Sequence, residues 1–129
     1  MDANFTKVKN YLLDLEYSIS SENEENGTFI INKEEEGIKN MIVACADPIL
    51  IIEQPLFELK NGSSEVYKEL LRKNRDIIHG AFVLDNNDVI LFRDTLELEN
   101  LDLNEISGSI NSLTILLDEY GEKILEISK

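Results

Sequence analysis

Ile106, Ile110, Leu113, Leu117, Tyr120, Ile124 and Ile127 recur in alternating steps of four and three along the C-terminal part of the chain. That spacing is one face of a continuous α-helix, and Leu103, Leu116 and Leu125 widen the stripe. Asp102 and Glu105 stand ahead of it at capping-box spacing, which gives the helix a defined start. A stripe this long must be buried, either against a second helix in a coiled coil or across a β-sheet. Gly108 and Gly121 inside it either weaken the helix, by up to ~1 kcal/mol each relative to alanine, or let a neighbour approach closely.

The remainder of the chain supplies the sheet. The β-branched and aromatic run Gly27-Thr28-Phe29-Ile30-Ile31-Asn32 reads as a strand, and Lys33-Glu34-Glu35-Glu36-Gly37 turns the chain. Residues 38–46 form a second strand, with Ile38, Asn40, Ile42 and Ala44 alternating against Lys39, Met41, Val43 and Cys45. Asp47-Pro48 marks a turn, and Ile49-Leu50-Ile51-Ile52, apolar on both faces, reads as a central or covered third strand. Pro55 forces a kink or edge position before Phe57 and Leu59. Ala81-Phe82-Val83-Leu84 and Val89-Ile90-Leu91-Phe92 form a hairpin about Asp85-Asn86-Asn87-Asp88, and the chain continues extended to Leu101.

Two further helices complete the order. Phe5, Val8, Leu12 and Leu15 lie on one face of an N-terminal helix capped by Asp2 or Asn4. Asn61-Gly62-Ser63-Ser64 ends in the cap of another, with Val66, Tyr67, Leu70, Leu71 and Ile78 on its apolar side. Residues 20–26 are polar and acidic and read as a loop. The expected fold is α+β, in the order α-β-β-β-α-β-β-α, an antiparallel sheet packed by helices, forming a single domain over residues 1–129. A chain of this length buries enough surface to need no disulfide or metal staple.

The 26 acidic against 12 basic side chains leave a net charge of −14. That balance excludes a general nucleic-acid binder and disfavours anionic membrane surfaces. The N-terminus has no basic start followed by an apolar core, and the apolar stretch 41–52 is too short to span a bilayer. With Cys45 the only thiol, these features point to a cytoplasmic protein.

No catalytic constellation emerges. His79 is the single imidazole, with Asp76 three residues earlier as its possible orienting group, but no nucleophile is tied to it; a structural histidine between helix and strand is the plainer reading. Cys45 sits in an apolar strand with no neighbouring cation to stabilise a thiolate. Asp85-Asn86-Asn87-Asp88 lacks the alternate spacing of a calcium loop and suits a turn. The acidic runs at 22–25 and 34–36 read as solvated loops. Lys68, Arg72, Lys73 and Arg75 cluster on one helix, where ion pairs within the chain or across a dimer are expected. No metal site, cofactor fingerprint or phosphate-binding glycine loop is present in the sequence.

Leu70-Leu71-Arg72-Lys73-Asn74, Gly80-Ala81-Phe82-Val83-Leu84-Asp85 and Val89-Ile90-Leu91-Phe92, continuing through Thr95-Leu96 and Leu101-Asp102, resemble the YbjN family and the related Tir-chaperone superfamily, the CesT-like class I type III secretion chaperones. The resemblance implies that fold and a non-enzymatic protein-binding module, commonly a homodimer, holding an extended segment of a protein partner. It places the dimer surface around the second helix and the adjacent hairpin, at Val66, Leu70, Asn74 and Phe82, so that charge at Leu70 or Val66 is expected to weaken self-association. The competing reading is a small-molecule- or metal-responsive regulator with a pocket near His79.

Overall fold

The computed structural model describes residues 2–59 and 64–129. Along the chain run α1 (Ala3–Asp14), β1 (Ser18–Asn23), β2 (Thr28–Lys33), β3 (Ile38–Ala46), β4 (Ile49–Glu58), α2 (Ser64–Lys73), β5 (Ala81–Leu84), β6 (Val89–Glu97) and α3 (Leu103–Ile127). The strands make one six-stranded sheet in the order β1-β2-β3-β4-β6-β5, every neighbour antiparallel. The expected α+β class holds, with one strand more than the sequence indicated.

That strand is β1. Residues 20–26, read as a loop, instead finish an edge strand and then turn at Asn23–Gly27, where Asn23 Oδ1 accepts from the Asn26 N–H at 3.0 Å. Exposed on nearly all sides, β1 carries only Ile19 as an apolar residue, so it has no alternation to detect. Its pairing with β2 overrides the weak strand propensity of its serines.

β3 corrects the expected alternation. Asn40 adopts φ 49°, and the register with β2 slips between Met41 and Ile38. The bulge brings Ile38 onto the same buried side as Met41 and Val43. Buried Gln54 on β4 fills the gap: its Oε1 accepts from the Lys39 N–H and its Nε2 donates to the Gly37 carbonyl, both at 3.0 Å. Gly37, in the left-handed region at φ 79°, has Leu117 of α3 only 2.7 Å from where a Cβ would stand.

The paired residues Phe29, Val43, Ile52 and Asp94 share one face of the sheet. α1 stacks Phe5 on Phe29, with ring centroids 4.4 Å apart. α3 crosses the same face, its buried Ser109 donating to Asp94 Oδ2 at 2.7 Å and Thr114 donating to the Glu36 carbonyl at 2.8 Å. The long helix is therefore a sheet-packing helix, and its Asp102–Glu105 capping box is formed as the spacing indicated. Asp2 caps α1. The opposite face of the sheet carries Ile30, Ile42, Ala44 and Ile51, with Ile42 39% exposed. An Arg93–Glu53 ion pair at 2.7 Å lies among them.

The second helix is shorter than its apolar pattern indicates. α2 stops at Lys73, a single 3-10 turn follows at Asn74–Asp76, and Ile77 is extended. Ile78 is thus off the helix and 81% exposed. Of the expected loop and cap Asn61-Gly62-Ser63-Ser64, residues 61–63 lie outside the described residues and Ser64 is the first residue of α2. β6 ends at Glu97, and the rest of the stretch to Leu101 turns through Asn100 at φ 63°.

Candidate functional site: the α2–β5 groove and the His79 cleft

Of the four residues singled out from the sequence, Leu70, Asn74 and Phe82 come together where α2 meets β5, and Val66 stands one turn earlier on α2. Leu70 and Phe82 are 3% and 5% exposed and belong to the core of the protomer, and Val66 is half-buried against it. Asn74 bonds both backbone groups of Phe82, accepting from its N–H at 2.7 Å and donating to its carbonyl at 3.2 Å. A charge at Leu70 therefore disrupts the fold itself, so it cannot serve as a clean probe of self-association.

Leu70, Asn74 and Phe82, but not Val66, line an apolar groove of about 250 Å³ together with Tyr67, Leu71, Val83, Leu84 and Ile90. Its solvent-facing rim is Leu71, 67% exposed, and Leu84, 48% exposed. These two are the surface residues that sequence reasoning missed. Leu71 lies beside Leu70 on the helix, and only the packing shows which of the pair faces out. Glycine is required at the entry to β5: Gly80 has φ 87°, and a Cβ there would meet Phe92 Cζ at 2.5 Å.

α3 braces the groove from behind. Tyr120 packs on Phe82 with ring centroids 6.2 Å apart, and Lys73 Nζ stands 5.0 Å over the Tyr120 ring. Burial, then the Glu69 carboxylate, raise the Tyr120 phenol above its ordinary range. Of the basic cluster, Lys68 pairs with Glu65 at 3.8 Å and Lys73 with Asp76 at 4.0 Å, whereas Arg72 and Arg75 make no ion pair among the described residues. Exposed pairs of this kind add little stability.

A second cleft, of about 400 Å³, opens between residues 73–79 and α3. Its lining includes Lys73, Ile77, His79, Asn111, Ile115 and Glu119. Ser112 of α3 secures this segment by donating to the His79 carbonyl at 2.7 Å and accepting from its N–H at 3.4 Å. Asp76 turns to Lys73 and makes no hydrogen bond to His79, so the orienting pair expected from spacing is not formed. Gly108 does not serve a close approach: the His79 ring is 3.9 Å from its Cβ position, an ordinary contact, and nothing lies within 4 Å of that of Gly121.

The remaining candidates find structural roles. Burial, then Asp2, push the Cys45 thiol up to about 11, which leaves it protonated and unreactive at neutral pH. Asp85 spends Oδ1 on the turn, accepting from Asn87 at 2.8 Å and Val89 at 2.9 Å. Glu36 holds Lys33 at 2.8 Å, and Lys33 also lies over the Tyr17 ring. Among the described residues no group of three or more His, Cys, Asp or Glu is placed to hold a metal ion. No described helix is long and apolar enough to cross a membrane.

The CesT_Tir_1 family model matches residues 1–129. No curated protein matches the chain. Solved structures similar in fold, at low identity, include the following three. One, from the HopA1–SchA chaperone–effector complex, is 14% identical with a TM-score of 0.67, covering 95% of this chain and 98% of that one. E. coli YbjN is 11% identical with a TM-score of 0.70, over 92% and 91%. The Yersinia pestis type III secretion chaperone SycH, solved with a fragment of YscM2, is 20% identical with a TM-score of 0.62, over 98% and 100%.

Proposed function

The chain belongs to the CesT_Tir_1 family, and on that footing we propose that it is a non-enzymatic, cytoplasmic protein-binding module of the chaperone or adaptor type. It works as a homodimer and holds an extended segment of a protein partner. The observation that carries this reading is the sheet face opposite α1 and α3, where Ile30, Ile42, Ala44 and Ile51 stay partly open to solvent. Such a surface offers side-chain pockets at strand spacing to an extended peptide. A net charge of −14 keeps it soluble while it waits. Arg93 and Glu53 pair on that face at 2.7 Å, so these two charges offset each other there.

The homodimer surface is the α2–β5 face at Val66, Leu70, Asn74 and Phe82, with Leu71 and Leu84 as the residues that touch the second copy. Support comes from two large apolar side chains exposed side by side on the groove rim. Co-purification from the native cell tests the partner role. One stoichiometric protein is expected with the wild type and should be lost with Ile42→Glu; unchanged recovery with the variant overturns the sheet-face placement. Sedimentation tests the dimer: Leu71→Glu with Leu84→Glu should give a folded monomer.

The His79 cleft favours a second reading, a regulator that responds to a small molecule. A volume of about 400 Å³ lined by apolar Ile77, Ile115 and Leu116 together with polar Lys73, His79, Asn111 and Glu119 suits such a ligand. A thermal-shift screen checks it, because a ligand bound only by the folded state raises the melting temperature. Shifts that survive His79→Ala and Asn111→Ala would place the ligand elsewhere.

A further inference from the structure

The open face of the sheet changes in charge along its strands. Across its middle, Ile30, Ile42, Glu53 and Arg93 stand in register, and the two charges in that row pair with each other. Two residues further along β3 the row is Thr28, Ala44, Ile51 and Thr95, which carries no charge. Beyond it, Ala46, Ile49 and Glu97 reach the end of the sheet. The turn at Asn23–Gly27, the turn at Asp47-Pro48 and the end of β6 are drawn together there. The Gly27 carbonyl accepts from the Cys45 N–H at 2.7 Å, and the Pro48 carbonyl from the Leu98 N–H at 3.0 Å.

That end is acidic on its open side. Residues 23–28, 44–49 and 94–102 contain no Lys or Arg. Glu24, Glu25, Asp47, Glu97 and Glu99 are exposed, and their carboxylates make no ion pair among the described residues. Lys7 and Lys9 approach from α1, which lies on the other face: Lys7 donates to the Leu98 carbonyl at 3.2 Å, and Lys9 pairs with Glu22 at 3.0 Å. The opposite end of β2 and β3 is mixed instead, with Lys33 and Lys39 beside Glu34, Glu35 and Glu36. Whatever covers the apolar rows therefore comes close to unneutralised carboxylates at one end, where cations gain and anions lose.

We infer, resting on the reading of this face as the partner-binding surface, that its occupant is an extended segment with apolar side chains at alternate positions and a basic flank. Asp47 lies five positions beyond Ile42, so Lys or Arg belongs about five residues from the side chain seated over Ile42. The apolar rows supply the contact area, and the acidic end selects which apolar segments are held. A second copy of the chain, with its own net charge of −14, is a poor source of those cations.

The test uses labelled peptides of about ten residues alternating Ile and Ser, ended on both sides by Lys-Lys, Ser-Ser or Glu-Glu. Either chain direction then brings one end pair to the acidic end of the face. Fluorescence anisotropy should rank Lys-ended above Ser-ended above Glu-ended. The first step should be about tenfold at about 50 mM salt and near parity at about 1 M. Glu24→Gln, Glu25→Gln, Asp47→Asn and Glu97→Gln together should remove the ranking. Glu34→Gln, Glu35→Gln, Asp118→Asn and Glu122→Gln together change the net charge equally and should keep it. All these positions are exposed, and if the first set does not fold, Glu97→Gln alone should narrow the ranking. Ile42→Ser, which leaves the charge unchanged, should weaken all three peptides by a similar factor. Equal binding of the three peptides, still weakened by Ile42→Ser, would overturn the basic flank and leave the sheet-face reading standing. A ranking that survives the first set, or is lost with the second, would overturn it as well. Affinity that falls as protein concentration rises would give the face to a second copy and overturn the proposal. No binding of any peptide, or binding indifferent to Ile42→Ser, would overturn both.

Discussion

The two edges of the sheet are guarded by different means. β1 is polar along nearly its whole length, is bulged between Ile19 and Ser21, and runs into the acidic turn that follows Asn23. It needs no partner for its outward groups because water reaches them. β5 is short and apolar, with Phe82 in the core, and its outward groups at Phe82 are satisfied by Asn74. An edge that contributes to the core cannot be made polar, so its protection comes from a neighbouring element instead. The contrast predicts that β1 should accept substitution readily while β5 is tied to Phe82 and Asn74.

The largest break in that contrast should come at Phe82. Phe82→Ala removes a buried ring packed on Tyr120 and should cost about 3–5 kcal/mol in denaturant unfolding. Gly80→Ala comes next, at about 1–3 kcal/mol, because it combines a left-handed backbone with a clash against Phe92. On the other side, base should act where Tyr17 enters β1 and Cys45 closes β3. Burial first, then Glu36, push the Tyr17 phenol up to about 12, and burial pushes Cys45 up to about 11. Both folded values lie above the ordinary 10.0 and 9.0, so the neutral forms are favoured in the fold. Their contribution is complete below about pH 9 and is lost as pH rises through 11 and 12. Urea midpoints at pH 8 and pH 10.5 should show that decline, and Cys45→Ser with Tyr17→Phe should flatten it. The smallest effect belongs to Ser20→Ala, which removes two exposed 3.2 Å bonds, one donated to the Ile30 carbonyl and one accepted from Asn32 Nδ2, and should stay within about 0.5 kcal/mol.

The sequence is most informative where burial is one-sided and regular. α3 and α1 declare themselves through period and the β5–β6 hairpin through its turn residues, while β2 and β4 do so through their β-branched runs. β1 escapes because an exposed edge strand has nothing to alternate. The Asn40 bulge escapes because its cause, Gln54, lies on another strand, and no local pattern records a bond across that distance. The end of α2 escapes because Ile77 and Ile78 continue an apolar pattern after the helix has stopped. At the groove, the resemblance marks Leu70, Asn74 and Phe82, with Val66 beside them on α2. Which of them lines the interior, and that Leu71 and Leu84 form the rim, depends on packing between α2 and β5.

Gln54 and its bulge also imply a rule of inheritance. The carboxamide has a role only because β3 carries an extra residue at Asn40, and the bulge leaves two backbone groups bare if the carboxamide is missing. Neither feature is an improvement alone. Within the lineage of this chain the two should be gained and lost as a unit, with glutamine at that β4 position wherever the 38–41 segment keeps its length, and an ordinary apolar residue wherever one residue has been deleted.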